Sequence, residues 1–165
     1  MNDAYKVIPF ADISYFADKK WWDWNKNLPE YRAFKGERAT VFTTGNLVDD
    51  PEIAMLRIAE RSGISDDPAS ICTGSNSGHQ LINIFTLAGC KRIVLIGYDA
   101  QPGPKGEHHF FGEHPDRTQA PYSNQLYELK LALPFFKEHG IAVLNTSTHS
   151  AINFFPKVTL AEALS

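Results

Sequence analysis

Short apolar runs, most of them bounded by glycine, proline or a carboxylate, divide the 165 residues into alternating strand-like and helix-like segments. Residues 13–18 are rich in β-formers and end in Asp18, which predicts a strand. Residues 39–44 predict a second strand, stopped by Gly45. Between them, 19–27 carry Trp21, Trp22 and Trp24 and predict a short helix or packed turn, while 29–37 read as loop. Asp49 and Asp50 before Pro51 have the form of a helix start. Ile53, Ala54, Leu56, Ile58 and Ala59 then give an apolar helical face that Gly63 closes.

The second half alternates more clearly. Residues 69–72 lead into a small polar loop, Thr73, Gly74, Ser75, Asn76, Ser77, Gly78 and His79. Leu81, Ile82, Ile84, Phe85, Leu87 and Ala88 form a strongly apolar helix ended by Gly89. Residues 91–97 contain four consecutive aliphatics, the pattern of a central parallel strand buried on both faces. Residues 101–122 hold four prolines and three glycines and read as a long surface excursion. Ser123 or Asn124 is expected to cap a helix to about His139, kinked or broken at Pro134. Residues 141–145 predict the last strand, 146–153 another polar loop, and Thr159 the cap of a terminal helix over 160–164. The whole predicts one α/β domain over 1–165, with a mostly parallel sheet flanked by helices. The first strand and glycine-rich turn that usually open a doubly wound domain are missing from this pattern.

Composition narrows the class. Hydrophobic residues make up 43 % and charged residues 21 %, ordinary globular usage. The net charge is -3 and no basic block exists, so nucleic acid is not an expected partner. No apolar stretch reaches the roughly 18 residues of a membrane span, and no basic segment leads into an apolar run. Two cysteines, Cys72 and Cys90, without a CxxC pair fit a reduced, cytoplasmic chain.

Candidate chemistry clusters at predicted strand ends. In a parallel sheet the ligand crevice lies beyond the carboxyl ends of the strands. Small residues opening a helix let backbone N–H groups approach an anion, and the helix dipole favours negative charge there. Thr73, Gly74, Ser75, Asn76, Ser77 and Gly78 are therefore candidates for binding phosphate or carboxylate, the alternative being a capped turn with close helix–strand packing. The loop is not a P-loop, and neither GxGxxG nor GxSxG occurs. Tyr98 and Asp99 follow the predicted central strand, where the acid would bind a hydroxyl, a metal or a base edge, or simply cap a turn. His108, His109, Glu113 and His114 fall within seven residues. A general acid or base on a closing loop fits them better than a metal site, since the spacing is not HExxH. Ser147, His149 and Ser150 follow the last strand and are candidates for the same crevice. The tryptophans read as packing before stacking platforms, and a homodimer is compatible with them.

Residues 73–80, 88–99 and 108–115, with the ending 145–164 and the early segment 18–24, resemble a group of uncharacterised bacteriophage and prophage proteins. That family's fold looks like a Rossmann-like domain distantly similar to bacterial sialyltransferases and archaeal pterin pyrophosphokinase-like proteins. The resemblance implies a phage-encoded protein of the bacterial host's cytoplasm. It implies that Ser75, Asn76, Ser77 and Gly78 face a nucleotide phosphate or ribose with Asp99 nearby, and that His109 or His114 is the base. It also implies a nucleotide or nucleotide-sugar as the bound cofactor or substrate, without a metal. A chain that keeps the fold as a non-catalytic phage accessory or assembly protein is the alternative, and a metal-dependent hydrolase built on the histidine cluster the third.

Overall fold

A computed structural model of the chain describes residues 1–42, 48–59, 62–108, 111–112 and 121–165. After a 3-10 turn, Asn2–Lys6, the elements are β1 (Ile13–Tyr15), α1 (Lys19–Asn25), α2 (Pro29–Arg32), β2 (Glu37–Phe42), β3 (Ile53–Ala59), β4 (Ser70–Cys72), α3 (Ser77–Leu87), β5 (Arg92–Leu95), α4 (Tyr122–Leu131), α5 (Leu133–Glu138), β6 (Ala142–Asn145) and α6 (Leu160–Leu164). Strands β1 to β4 form a parallel sheet in sequence order, with Tyr15 beside Ala39, Thr40 beside Met55, and Ile58 beside Ile71. Strands β5 and β6 pair in parallel as a second sheet, Leu95 beside Asn145. The expected α/β architecture with parallel strands and flanking helices is present.

The largest correction is β3. Residues 53–59, expected to be helical, form a strand between β2 and β4. The apolar positions 53, 56 and 58 match a helix only at one i, i+3 pair, and alternation places Leu56 and Ile58 on the face that packs against α3. Two hydrogen-bonding neighbours then override the helical propensity of an Ala-Met-Leu-Arg run. Asp50 starts no helix. Its Oδ1 accepts from the Glu52 N–H at 3.0 Å, its carbonyl accepts from the Ile53 N–H, and its Oδ2 pairs with Arg32 at 3.1 Å, so the Asp-Pro signal makes a turn into a strand.

Other expectations are refined. Residues 29–32 are helical, with Pro29 opening α2. The C-terminal carbonyls of Tyr31, Arg32 and Phe34 lie 3.2, 3.1 and 2.9 Å from Nη2 of the buried Arg38. Strand β5 buries only alternate residues, Ile93 and Leu95, and Ile96 beyond it is 68 % exposed. It is therefore not a central strand buried on both faces: its one ladder among the described residues is with β6. Pro134 does break its helix, at the α4–α5 junction. Thr159 caps α6 in a full capping box with Glu162.

Helix α3 joins the layers. Leu81, Ile84 and Leu87 pack with Tyr15, Ala39, Val41 and Ile71 of the first sheet. Ile82 and Phe85 pack with Ile93, Leu95 and Val143 of the second. Its buried Asn83 ties down the segment before β4: Oδ1 accepts from the N–H groups of Ser65 and Cys72, both at 2.9 Å, and Nδ2 donates to the Ser65 carbonyl at 2.9 Å. On the other face of the first sheet Tyr5, Phe16, Trp21, Trp22, Tyr31 and Phe34 form an aromatic cluster, Phe16 stacked on Trp22 at 5.4 Å, so Trp21 and Trp22 are packing residues. Among the described residues no helix is long and apolar enough to cross a membrane.

Replacing Asn83 by alanine removes the acceptor that the buried Ser65 and Cys72 N–H groups share. Each such loss costs about 1–3 kcal/mol, so Asn83→Ala is expected to lower the unfolding free energy by roughly 2–5 kcal/mol, read as a lower urea midpoint.

Candidate functional site

A cleft of about 890 Å³ opens where three strands end. Ala17 and Asp18 follow β1, Thr73 and Ser75 to Gly78 follow β4, and Gly97 to Gln101 follow β5. Its remaining walls come from Met1 and Asn2, from Gln80, from Gly103, Pro104, Glu107 and His108 of the excursion, and from Tyr122 and Gln125 of α4.

The loop entering α3 is shaped by its own contacts. Gly74 and Ser75 are consecutive left-handed residues, at φ +53° and +58°. At Gly74 a Cβ would lie 2.0 Å from the His79 ring, so a side chain is excluded there by space as well as by conformation. Asn76 caps α3: its Oδ1 accepts from the His79 N–H at 2.9 Å and from the Tyr98 hydroxyl, and its Nδ2 donates to the Gly74 carbonyl at 3.0 Å. The Asn76 amide is thus largely consumed by the protein. Gly78 gives Tyr98 room, since a Cβ would come 2.8 Å from the phenol ring. Burial raises the Tyr98 phenol pKa, against the opposing hydrogen bond to Asn76, and keeps it a donor. Ser75 Oγ accepts from Nδ2 of Asn124, so Asn124 fastens α4 to this loop and does not cap it; α4 starts at Tyr122 without a side-chain cap, and Ser123 does not serve either.

The expected residues divide on this geometry. Thr73, Ser75, Asn76, Ser77, Gly78, Tyr98 and Asp99 line the cleft. The Asp99 carboxylate is half-buried, and no protein donor among the described residues occupies it, while its backbone carbonyl holds the Ala151 N–H at 2.8 Å. Gly74 supports the loop from behind. Ser147 and Ser150 do not reach the lining. Ser150 is buried in a structural knot, its Oγ 2.9 Å from the Tyr98 carbonyl, 3.0 Å from Asn145 Nδ2 and 3.2 Å from the Ile152 N–H. The Ser147 N–H caps onto Asn145 Oδ1 at 3.0 Å. His149 lies against the Pro102 carbonyl. His109, Glu113 and His114 lie outside the described residues. Their neighbour His108 does line the cleft, its Nδ1 3.3 Å from the Tyr122 hydroxyl and its ring stacked on Tyr122 at 6.0 Å. Among the described residues no group of three or more histidine, cysteine or acidic side chains is arranged to hold a metal.

Tyr122, Gln125 and the buried Gln80 also line the cleft and are not among the residues expected from the sequence. The signal for Gln80 in the sequence is a polar residue directly before the apolar run of α3. Electrostatically the described lining carries the carboxylates Asp18, Asp99 and Glu107 and no lysine or arginine. Asp18 is partly spent on capping α1 through the Lys20 N–H, and Glu107 on the Lys105 N–H. An anionic group would be held by the N-terminus of α3 and by hydroxyls, and ligand hydroxyls would meet Asp99.

Under the cleft floor, His79 is fully buried and its Nε2 sits 2.6 Å from the Gly63 carbonyl. Burial lowers its pKa, opposed by the Gly63 carbonyl and the charge of Glu128. Its folded value therefore lies below the roughly 6.5 of an unfolded histidine, and the unfolded chain takes up this proton first. The neutral ring's contribution is complete above pH 6.5 and is lost as pH falls below it toward the folded pKa. Unfolding midpoints between pH 7.5 and 5.5 are expected to fall, with a flatter profile in His79→Gln. Gly74→Ala, strained in φ and driven into that ring, is expected to cost roughly 2 kcal/mol or more in urea unfolding.

Compared with protein-family models, curated proteins and solved structures, the chain matches none of them, and its functional reading rests on the geometry of this cleft.

Proposed function

We propose that the chain is a Rossmann-like domain that binds a nucleotide or nucleotide-sugar in this cleft, with the phosphate at the N-terminus of α3 and the ribose or sugar hydroxyls on Asp99. The observation that carries the reading is the convergence on one cleft of the α3 terminus, the hydroxyls of Thr73, Ser75 and Ser77, and the carboxylate of Asp99, which no donor among the described residues takes. A volume of about 890 Å³ is within the range of small-molecule sites. The resemblance to phage proteins with a sialyltransferase-like fold favours the same ligand class.

Chemistry of glycosyltransferase type would need a base beside an acceptor hydroxyl. His108 is the described histidine on the cleft wall, with Tyr122 against its ring, and joins the expected His109 and His114 as a candidate for that role. The transfer would otherwise be a matter of positioning: the phosphate fixed by α3, the hydroxyls by Asp99, the acceptor beside His108. The second reading, a phage accessory protein that binds without reacting, is favoured by one observation. Three carboxylates and no lysine or arginine among the described lining residues leave a departing phosphate without the guanidinium or ammonium side chain that commonly stabilises it.

A thermal-shift screen with CMP, UMP, their sugar conjugates, GTP and ATP tests the binding. At a hundredfold excess over Kd a ligand of the folded state adds about 2.7 kcal/mol of stability, so a clear rise in Tm is expected with one class of nucleotide. Asp99→Asn should weaken that ligand roughly tenfold, the worth of one charge-assisted hydrogen bond, and leave the unliganded Tm in place. His108→Gln should abolish turnover and spare binding if the domain is an enzyme. A screen with no shift from any nucleotide overturns the reading.

A further inference from the structure

Gln80 is the buried polar side chain of the cleft that the capping of α3 does not use. It is 6 % exposed, lies three residues into the helix from Ser77, and lines the cleft. Its Oε1 accepts the Tyr15 hydroxyl hydrogen at 2.9 Å. Tyr15 is fully buried on β1, and burial raises its phenol pKa, so the hydroxyl remains a donor. With Oε1 on the Tyr15 hydroxyl, the NH2 faces away from it. That NH2 carries two hydrogens; among the described residues no protein acceptor takes either, and the group is open to the cleft rather than sealed in the interior. An amide held in one orientation with its donor end open on a cleft is arranged for an acceptor from outside the protein.

We propose that Gln80, oriented by Tyr15, is a specificity-determining residue that donates from Nε2 to a carbonyl oxygen on the base of the ligand. This rests on the reading of the cleft as a nucleotide site and adds the class of base. The two polar walls are complementary in sign: Asp99 only accepts, which suits ligand hydroxyls, whereas the open end of Gln80 only donates. A ring carbonyl only accepts, whereas a hydroxyl is satisfied as well by Asp99. The base selected is therefore one that presents a carbonyl toward α3, as the pyrimidines do at C2. A site built around such a donor discriminates strongly against ligands that leave it unpaired.

The test uses the full chain labelled with 15N, its backbone and Gln80 side-chain amides assigned in the wild type, titrated separately with CMP, UMP and ribose 5-phosphate. CMP or UMP is expected to shift the backbone amides of Ser77 and Gly78 and to move the Gln80 NH2 pair. Ribose 5-phosphate is expected to shift Ser77 and Gly78 alone, with affinity at least tenfold weaker. Tyr15→Phe keeps the ring but frees the amide, and should reduce the preference for the base-bearing ligand while the Ser77 and Gly78 shifts persist. Gln80→Glu, which turns the donor into an acceptor, should abolish the preference. If CMP and UMP shift Ser77 and Gly78 but leave the Gln80 pair unmoved, and bind no better than ribose 5-phosphate, the role of Gln80 is overturned and the nucleotide site stands. If neither nucleotide shifts any amide of the cleft, the site reading fails and the inference with it.

Discussion

The structure depends on helix α3 supplying hydrogen bonds to a stretch of chain that has no regular structure of its own. Residues 62–69 run between β3 and β4, and of them Gly63, Ile64 and Ser65 are buried. Asn83 takes the Ser65 and Cys72 N–H groups and returns a donor to the Ser65 carbonyl, and His79 meets the Gly63 carbonyl. A buried polar network of this kind is favourable only when its members are matched, because each group left over keeps its full desolvation cost. The match sets the register of α3 against both sheets, and so sets where its N-terminus points.

The cleft inherits that register. Gly74 has no side chain because the His79 ring fills the space, and Gly78 has none because the Tyr98 ring does. Tyr98 in turn donates to the same Asn76 oxygen that caps the helix. The ends of β4 and β5, which belong to different sheets, are thereby held together by one asparagine. Asp99 follows Tyr98 directly, so its carboxylate is positioned by a neighbour whose ring and hydroxyl are both locked.

Much of this was legible in the residues, for identifiable reasons. α3, β6 and α6 follow from apolar period, glycine stops and the Thr159–Glu162 spacing, all local signals. β3 was misread because seven residues of mixed apolar character carry little periodicity, and their pairing partners lie more than ten residues away. The polar loop 73–78 was legible as a candidate site, yet its division of labour was not. Asn76, Gly74 and Gly78 act on the protein itself, which depends on the distant Tyr98 and on where the His79 ring folds. Ser150 followed a strand end as a ligand residue would, but Asn145 and the Tyr98 carbonyl hold its hydroxyl. The orientation of Gln80 is set by Tyr15, 65 positions earlier.

The excursion between β5 and α4 is anchored at both ends on the cleft rim. At one end Ala151 and Ser150 hold the Asp99 backbone; at the other Asn124 holds Ser75, and Tyr122 meets His108. With its ends fixed by these contacts, the segment is a closed loop in the polymer sense. Doubling the length of such a loop costs only about 0.6 kcal/mol in closure entropy. Insertions and deletions between the anchors are therefore nearly neutral for the fold while they remodel one wall of the cleft. Of all parts of this molecule, that segment is the one in which descendants of the chain have the most freedom to change what the cleft admits.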